Sequence, residues 1–448
     1  MGLGGDSIIV QAIVDRVKSI LPYTTGETDS IQVNMGLGRI TVLLGPNASG
    51  KTSILESIGY SLATIIEPAQ SILALALTSS LRPLRHVPGL AASSLEVRGK
   101  KLSTIILEPN PRILLSSQEQ VKLSEALHYI GVDDSISFDT LLDDVEFIVD
   151  ALTYDENISG RDLPRRAIRV RLHLYSDLRR IVRKILGETV TIYETNPIFG
   201  VKDLSSVLDE VEHDEPSILR YRFSGSIKVL YTVYNSKLYK SIVIDSFRKV
   251  LIAQVREIYE DLGVVVFHPG FIYWPGFAEG LYKYYAKSGL PGERDAALLL
   301  RKYIKWFDGF EVLRKLHLRS LDGRRVPVYS LSDGQRMAAF LGLLYALFKP
   351  PAVALIDTPE AFVHPDGLPV VADLLVGLVD RGGQLVVATQ SIEFLRELLA
   401  RADKHGLLDE TIVQRVDLSA EGIVEARGRW SGRLSLDIIN ELGADLRR

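Results

Sequence analysis

The segment Gly45 to Thr52, which reads GPNASGKT, constrains the fold of this chain more than any other feature. It fits the pattern G-x-x-x-x-G-K-[ST], in which two glycines let successive backbone N–H groups point at phosphate oxygens. An apolar run suited to a buried strand, Ile40 to Leu44, comes before it, and a helical apolar spacing follows at Ile54, Leu55, Ile58 and Leu62. A phosphate bound there would gain from the free N–H groups and the dipole at the helix N-terminus. The sequence therefore predicts a strand, loop and helix that hold a phosphate.

The loop residues define the candidate phosphate contacts. Lys51 would reach the β and γ phosphates of a nucleotide, and the hydroxyl of Thr52 would ligate Mg²⁺. An ordinary glycine-rich turn is the alternative, and the flanking strand and helix weigh against it. The candidate nucleotide contacts are Gly45, Pro46, Asn47, Ala48, Ser49, Gly50, Lys51, Thr52 and Ser53.

A second motif, LSDGQ at residues 331–335, stands before another helical pattern. The apolar residues of that pattern fall on one face at Met337, Phe340, Leu341, Leu344 and Phe348. This spacing predicts Ser332 as the N-cap, with Gly334 just inside the helix. A hydroxyl, a glycine and free helix N–H groups can bind a second anion, with Ser332, Gly334 and Gln335 as its contacts. A capped structural helix is the alternative.

An apolar strand that ends in a carboxylate follows this helix. Residues 353–357 read VALID, so Asp357 lies at the strand end, where phosphate-transfer enzymes present a residue that organises Mg²⁺. Thr52 and Asp357 are thus the predicted metal ligands. The eight histidines are scattered without metal-ligand spacing, so Mg²⁺ is the only metal we infer.

The run LSDGQRMAAFLGLLYALFKPPAVALIDTPEAFVHP, with LVVATQSIEFLREL after it, resembles the ATPase heads of the ABC superfamily. The closest likeness is to the AAA-type branch related to the OLD nucleases and to RecF and SMC heads. The resemblance covers roughly residues 30 to 65 and 325 to 400. It implies an α/β P-loop NTPase head, with a mixed sheet flanked by helices and a large mixed α+β insertion. It also implies ATP and Mg²⁺ as cofactors and an ATP-dependent homodimer, closed head to tail, in which Ser332 and Gly334 of one chain meet the γ phosphate held by Lys51 of the other.

Two residues depart from the family pattern where hydrolysis is catalysed. Thr358 follows Asp357 where the family has a glutamate that polarises water, and Gln390 replaces the switch histidine. A threonine hydroxyl is a poor general base at neutral pH, whereas glutamine can still donate a hydrogen bond to a phosphate. We expect ATP binding with slow hydrolysis, with Glu360 and Gln390 as the catalytic candidates. The alternative for Glu360 is a carboxylate that stabilises a helix N-terminus.

The two ATPase segments lie far apart in the chain, which predicts an insertion. The expected division is an N-terminal ATPase part at 1–95, an α+β insertion at 96–320 and a C-terminal ATPase part at 321–448. Within the insertion we expect a strand at 167–175, a hairpin of 226–234 with 237–244, helices at 246–261 and 293–318, and a strand at 264–267 that fits either lobe. After it we expect a helix at 392–407, strands at 412–418 and 423–426, and a helix at 435–447. No sustained heptad is present, so we expect no long coiled coil. The 58 residues after Gln390 are fewer than we expect for the nuclease domain of OLD proteins.

Composition excludes several classes of protein. The chain has no cysteine, so it can have neither disulfides nor thiolate zinc sites. A net charge of −4 argues against a globally basic nucleic-acid coat but allows a local basic patch. No segment is long and apolar enough to predict membrane insertion, and the N-terminus does not resemble a signal peptide, so we expect a cytoplasmic protein.

The insertion contains one candidate basic patch. An acidic block at 133–156 precedes a basic block at 161–184, and the two could simply neutralise each other. Alternatively, the arginines bind the phosphates of DNA, because guanidinium groups suit phosphate. The candidate DNA contacts are Arg165, Arg166, Arg169, Arg171, Arg179, Arg180 and Arg183.

A few single residues have candidate roles. Tyr23 could stack on adenine. The Q-loop glutamine of ABC heads could be Gln70, Gln118 or Gln120. The aromatic segment 271–277 could contact another protein, although a packed loop is the simpler interpretation.

Three functions fit these observations. The first is an ATP-gated dimer switch in DNA repair, maintenance or defence, acting on DNA or on a separate effector chain. The second is the nucleotide-binding subunit of a transporter, against which the large insertion counts. The third is a scaffold that senses ATP without hydrolysing it.

Overall fold

A computed structural model of the chain describes residues 7–15, 33–66, 90–107, 171–172, 190–196, 200–203, 223–224, 227–235, 237–246, 249–255, 261–273, 290–313, 315–418, 424–441 and 446. Their strands, in chain order, are β1 (Ile9–Asp15), β2 (Val33–Gly36), β3 (Ile40–Leu44), β4 (Leu90–Val97), β5 (Lys100–Leu107), β6 (Arg171–Leu172), β7 (Val190–Asn196), β8 (Gly200–Asp203), β9 (Phe223–Ser224), β10 (Ile227–Tyr234), β11 (Lys237–Ser246), β12 (Lys249–Val255), β13 (Gly263–Phe267), β14 (Phe307–Val312), β15 (Leu316–Ser320), β16 (Arg325–Pro327), β17 (Ala352–Asp357), β18 (Gln384–Thr389), β19 (Thr411–Leu418) and β20 (Val424–Ser431).

The α-helices of the described residues are α1 (Lys51–Ala63), α2 (Glu293–Leu300), α3 (Asp333–Leu347), α4 (Leu368–Asp380), α5 (Ile392–Lys404) and α6 (Gly432–Glu441). Single 3-10 turns cover Pro269–Tyr273, Val328–Ser330, Pro365–Gly367 and Leu408–Glu410. None of these helices is long and apolar enough to cross a membrane.

A six-stranded sheet carries both ATPase motifs. Its strand order is β13, β17, β18, β3, β19, β20; the first five are parallel and β20 is antiparallel to β19. Every residue of β3, β17 and β18 is buried, which explains their unbroken apolar runs, since a parallel sheet is covered on both faces. The carboxyl ends of β3, β17 and β18 therefore meet at one edge. The phosphate loop follows β3 there, Asp357 is the last residue of β17, and Gln390 follows β18.

Helix α1 lies between this sheet and a second one. It packs against β13, β17 and β18 on one side and against β1, β4 and β5 on the other. All of its residues except Thr52 are buried, so the single apolar face expected from the sequence is covered together with the opposite, more polar face. On that polar side, the hydroxyl of Ser61 is hydrogen-bonded to that of Ser93 on β4.

The second sheet has nine strands in the order β2, β1, β4, β5, β10, β11, β12, β7, β8, and all neighbouring pairs are antiparallel. The predicted hairpin of 226–234 with 237–244 is confirmed as β10 and β11, which pair from Ile227 with Ile244 to Tyr234 with Lys237. Asn235 follows β10 with a φ of 52°, a left-handed conformation that asparagine tolerates in turns.

Two helix predictions were wrong. Residues 249–255, expected within a helix at 246–261, form β12, because β11 and β7 flank this segment and satisfy its backbone groups. The helix expected at 293–318 ends at Leu300; β14 and β15 then form an antiparallel pair, and β15 also pairs with β16. Gly309 within that stretch has low helix propensity, and cross-strand pairing decided the conformation.

The C-terminal elements follow the sequence prediction closely. Helix α5 and strand β19 occupy the expected segments, β20 continues to Ser431, and α6 begins at Gly432, earlier than predicted. The part of the expected last helix beyond 441 lies outside the described residues, apart from residue 446.

The sheets do not divide at the residue numbers expected for the domains. Strand β13, inside the 96–320 segment, pairs with β17 and so forms the edge of the six-stranded sheet. Strands β1 and β2, inside the 1–95 segment, belong to the nine-stranded sheet, and β4 spans residue 95. Residues 264–267 therefore belong to the lobe that carries the ATPase motifs.

Several sequence candidates lie outside the described residues. They are Tyr23, Gln70, Gln118, Gln120, the acidic block 133–156, and Arg165, Arg166, Arg169, Arg179, Arg180 and Arg183. Of the strand expected at 167–175, only β6 is described; it contains Arg171 and pairs with β9. Of the aromatic segment 271–277, residues 271–273 are described.

Candidate nucleotide-binding site

The conformation of the phosphate loop explains its glycines. A Cβ atom on Gly45 would lie 2.0 Å from the carbonyl oxygen of Val416 on β19, so the loop leaves the sheet at a position that admits only glycine. Gly50 caps α1 with a φ of 90°, in the left-handed region that glycine occupies without strain. Ala48 also has a positive φ of 63°. The loop thus turns sharply enough to bring its backbone around the start of α1.

Lys51 is held inside this loop. Its Nζ donates to the carbonyl oxygens of Gly45 at 3.0 Å and Pro46 at 2.6 Å, and lies 3.3 Å from Oγ of Ser49. Burial lowers the pKa of the ammonium, and the carboxylates of Asp357, Glu360 and Asp417 oppose that shift. The cation is thus screened from water and surrounded by acceptors that a phosphate oxygen could replace.

The side chains of Thr52, Asp357 and Thr358 meet at this edge of the sheet. The Thr52 hydroxyl donates to Oδ2 of Asp357 at 2.8 Å, and the Thr358 hydroxyl donates to Oδ1 at 2.9 Å. Asp357 is buried, and these two hydrogen bonds orient its carboxylate. Mg²⁺ prefers oxygen ligands and commonly takes one or two from protein and the rest from phosphates and water. Thr52 and Asp357 fit that role, and the described residues contain no group of three or more His, Cys, Asp or Glu side chains that could hold a metal without a nucleotide.

His268 is a candidate that sequence reasoning missed. It directly follows β13, and its Nε2 lies 3.6 Å from Oδ2 of Asp357. Its Nδ1 accepts the backbone N–H of Gly270 at 3.0 Å, so in the neutral ring the proton lies on Nε2, toward Asp357. The available signal was the histidine at the end of a short apolar strand. Only the parallel pairing of β13 with β17 brings it beside Asp357.

Glu360 contacts the segment after β18. Its Oε1 accepts the Thr389 hydroxyl at 2.6 Å and the Gln390 backbone N–H at 3.4 Å, whereas its Oε2 is buried without a hydrogen-bond partner. Burial raises the pKa of this carboxyl group. The next helical turn begins at Pro365, so Glu360 does not lie in the first turn of a helix in its own segment; it accepts instead from the two residues directly before Ser391, the N-cap of α5.

The second motif has the predicted local structure. Ser332 is the N-cap of α3, and its Oγ accepts the Gln335 backbone N–H at 3.4 Å. The side chain is exposed, and the hydroxyl hydrogen stays available to another acceptor. Gly334, in contrast, is buried within its own chain.

The structure separates the predicted site residues into two groups. One pocket is lined by Asn47, Ala48, Ser49, Gly50, Lys51, Thr52, Ser53, Asp357, Thr358 and Gln390. Gly45 and Pro46 do not line it, but their carbonyls accept hydrogen bonds from Lys51, which does. Ser332, Gly334 and Gln335 do not line this pocket, and neither does Glu360.

Comparisons with known proteins identify distant structural neighbours. The chain is similar to an SMC head bound to the C-winged helix domain of ScpA, with 11% identity, 95% of this chain and 98% of that chain covered, and a TM-score of 0.42. It is similar to the SMC head domain from Thermotoga maritima, with 12% identity and a TM-score of 0.33; the match covers 95% of this chain and 99% of that chain. The chain is also similar to an SMC head domain with an extended coiled coil, bound to the C-terminal domain of ScpA derived from Pyrococcus furiosus. The identity is 12%, the match covers 97% of this chain and 99% of that chain, and the TM-score is 0.41. No curated protein sequence matches the chain.

A family model gives the assignment. The model described as "AAA domain, putative AbiEii toxin, Type IV TA system" matches residues 40–396, most of the 448 residues. The matched range contains the phosphate loop, the LSDGQ motif, Asp357 and the segment after β18. The AAA-type assignment that the resemblance implied is confirmed, and the chain belongs to this AAA domain family.

Proposed function

We propose that this ATPase is an ATP-gated switch, in which two copies bind ATP and Mg²⁺ and close head to tail. The observation that carries the proposal is the separation of the two motifs. Lys51, Asp357 and Gln390 surround one pocket, whereas the exposed Ser332 lies outside it. A motif that can bind an anion but does not reach the pocket of its own chain suits the pocket of a second chain.

The chain's own residues prepare the pocket for a triphosphate. The bound Mg²⁺ would neutralise phosphate charge, with Thr52 and Asp357 as its protein ligands. Lys51 exchanges the carbonyls of Gly45 and Pro46 for phosphate oxygens, and the backbone of residues 47–53 supplies N–H donors. Ser332 and Gln335 of the second chain then complete the γ-phosphate site, whereas the predicted contact Gly334 is buried against its own chain.

Slow hydrolysis follows from the groups around that phosphate. The Thr358 hydroxyl donates to Asp357, and a threonine is a poor base. Glu360 accepts from the Thr389 hydroxyl and the Gln390 backbone N–H, so we propose that it fixes the backbone from which the Gln390 side chain reaches the pocket and does not itself activate water. ATP would then hold the dimer closed for long periods.

Mass and phosphate release, measured with and without ATP, test this function. We expect a monomer without ATP, a dimer with ATP and Mg²⁺, and a dimer that persists longer in Glu360→Gln. Lys51→Ala is the matched control and should stay monomeric. A monomer under all conditions would overturn the shared site, and unchanged turnover in Glu360→Gln would remove Glu360 from the mechanism.

The closed dimer would act on DNA or on a separate effector chain. The family description names a toxin of a toxin–antitoxin system, which favours defence over transport as the setting. The arginines from Arg165 to Arg183 are the proposed DNA contacts. If they bind phosphates, DNA affinity should fall steeply as salt rises, and a flat salt response would exclude this role.

A scaffold that senses ATP without hydrolysing it is the second candidate. Thr358 and Gln390 at the pocket favour it, because neither side chain can accept a proton from water at neutral pH. Dimerisation with ATP and no phosphate release would support it over the hydrolysing switch.

A further inference from the structure

The nucleotide pocket is poor in acidic side chains. Among the described residues that line it, only Asp357 carries a carboxylate, and that carboxylate accepts the hydroxyls of Thr52 and Thr358. Glu360 does not line the pocket, and its Oε1 accepts the Thr389 hydroxyl. Within the part of the chain that the structure describes, the pocket therefore has no carboxylate besides the proposed Mg²⁺ ligand that could take a proton from water.

Asp333, the acidic residue of the LSDGQ motif, lies directly beside the hydroxyl proposed to reach a second chain. It follows Ser332, the N-cap of α3, and 47% of its side chain is exposed. Its neighbour Gly334 packs against its own chain instead, since a Cβ atom there would lie 2.6 Å from the carbonyl oxygen of Phe362. Asp333 is thus open to a second chain, whereas Gly334 is covered.

The Asp333 carboxylate is held by two partners. Its Oδ1 lies 3.5 Å from Nη1 of Arg336, and it is hydrogen-bonded to the Tyr273 hydroxyl. Arg336 is itself fixed, because its Nη2 donates to the backbone carbonyls of Tyr329 at 2.9 Å and Leu331 at 3.1 Å. The nearby guanidinium offsets the charge of the carboxylate, which reduces its repulsion of a phosphate. An oriented carboxylate can therefore stand next to Ser332 when that hydroxyl meets a γ phosphate.

We propose that Asp333 is the general base for the ATP held by the second chain. This inference rests on the proposed head-to-tail site, in which Ser332 meets the γ phosphate beside Lys51 of the other chain, and it names the group that activates water there. Because the base comes from the partner, hydrolysis follows closure of the pair and does not occur in a single chain.

The step is an in-line displacement at the γ phosphorus. Asp333 takes a proton from a water molecule, and the water oxygen forms a bond to the γ phosphorus. The bond between that phosphorus and the oxygen that bridges it to the β phosphate breaks. ADP and inorganic phosphate leave, and the proton passes from Asp333 to solvent.

Mixed pairs of chains test this assignment at a single shared site. One chain carries Lys51→Ala and supplies Ser332 and Asp333, and the other carries Ser332→Arg and supplies Lys51 with its pocket. Neither chain can form a complete site with its own copy, so phosphate release reports on the mixed pair. The chain has no cysteine, so one introduced cysteine per chain can carry a fluorophore, and energy transfer measures ATP-dependent association separately.

We expect Asp333→Asn to lower phosphate release at least about a hundredfold when it is in the chain that supplies Ser332, because a general base typically contributes that factor or more. Association should be unchanged, because asparagine has the same shape and can still accept the Tyr273 hydroxyl. The same substitution in the chain that supplies Lys51 should have no effect, since the Ser332 beside it is already replaced.

A carboxylate placed in the pocket itself should rescue this loss. Thr358→Glu in the chain that supplies Lys51 should restore phosphate release to pairs that carry Asp333→Asn. Asp409→Asn is the matched control, because Asp409 is another exposed acid with an arginine partner, Arg433. It precedes the amino end of β19, at the edge of the sheet opposite the phosphate loop, and its substitution should change neither measurement.

The other outcomes overturn the inference in distinguishable ways. Full phosphate release with Asp333→Asn would mean that another group is the base. Weaker association, a lowered melting temperature and no rescue by Thr358→Glu would mean that Asp333 only supports the first turn of α3. Association of the unchanged mixed pair without phosphate release would exclude Asp333 as a base and leave ATP-gated closure standing, whereas no association would overturn the shared site itself.

Discussion

At the scale of single residues, we propose that the identity of the group after Asp357 limits how fast this chain can hydrolyse ATP. Thr358 lines the pocket, and its hydroxyl donates to Asp357, so it supplies no base. Glu360, the next carboxylate, lies against Thr389. The pocket thus has the residues expected to bind phosphate, and Thr358 stands where the family pattern has the residue that activates water.

Restoring a carboxylate at this position should raise turnover. General-base catalysis typically contributes about a hundredfold or more, so Thr358→Glu should increase ATP-dependent phosphate release by at least about tenfold after allowing for imperfect geometry. Thr358→Gln has a similar size without the base and is the control. Equal rates in the two variants would show that the missing base does not limit hydrolysis.

Glu360 should make stability depend on pH in the protein without nucleotide. Burial raises its pKa in the folded state, so the unfolded chain releases the proton first as pH rises. The contribution of Glu360 to stability is therefore fully present below the unfolded pKa and is lost as pH rises through the folded pKa. Glu360→Gln should flatten that part of the curve, measured as the free energy of unfolding by denaturant between about pH 4 and 8. Parallel curves for the two proteins would contradict this assignment.

At the scale of elements, α1 is unusual because both of its sides are covered. One side packs on the parallel sheet, and the other carries serines toward the antiparallel sheet. The Ser61 hydroxyl has partners at the Ser57 carbonyl and at Ser93, whereas the Ser57 hydroxyl is buried without a partner. Two serines one helical turn apart thus have opposite energetic roles.

Alanine substitutions at these two serines should have effects of opposite sign. Ser57→Ala removes an unsatisfied buried hydroxyl and improves helix propensity, so it should raise the free energy of unfolding by about 1 kcal/mol. Ser61→Ala leaves Ser93 without this partner and should lower that free energy by about 1 kcal/mol. Urea denaturation of the protein without nucleotide measures both. A loss of stability in Ser57→Ala would mean that its hydroxyl has a partner after all.

At the scale of the whole molecule, binding and dimerisation should be linked. If ATP closes two chains, the melting temperature with ATP and Mg²⁺ should rise further as protein concentration increases, because association stabilises by mass action. Ser332→Arg should keep the increase due to ATP alone and lose its dependence on protein concentration. A melting temperature with ATP that does not depend on concentration in the unchanged protein would argue for a monomeric ATPase.

The sequence predicted the local structure of the site well and its surroundings less well. The phosphate loop, the Ser332 N-cap, the strand that ends at Asp357 and the hairpin of β10 and β11 were all predicted, because each depends on spacing within a few residues. The segment 249–255 was wrongly predicted as helix, because its position between β11 and the distant strand β7 depends on pairing that its local pattern does not show. His268 was missed for the same reason.

The sequence by itself predicted the chemistry proposed for this protein: a loop to bind phosphate, an oxygen-ligand pair for Mg²⁺, a second anion motif and the absence of the usual catalytic base. These properties reside in residue types at short spacings. Only the tertiary structure decided that β13 delivers His268 to Asp357, that Glu360 faces Thr389, and that Phe362 lies against Gly334. Each of those contacts joins separate elements, and strand order and packing set their distances in ways that local pattern does not encode.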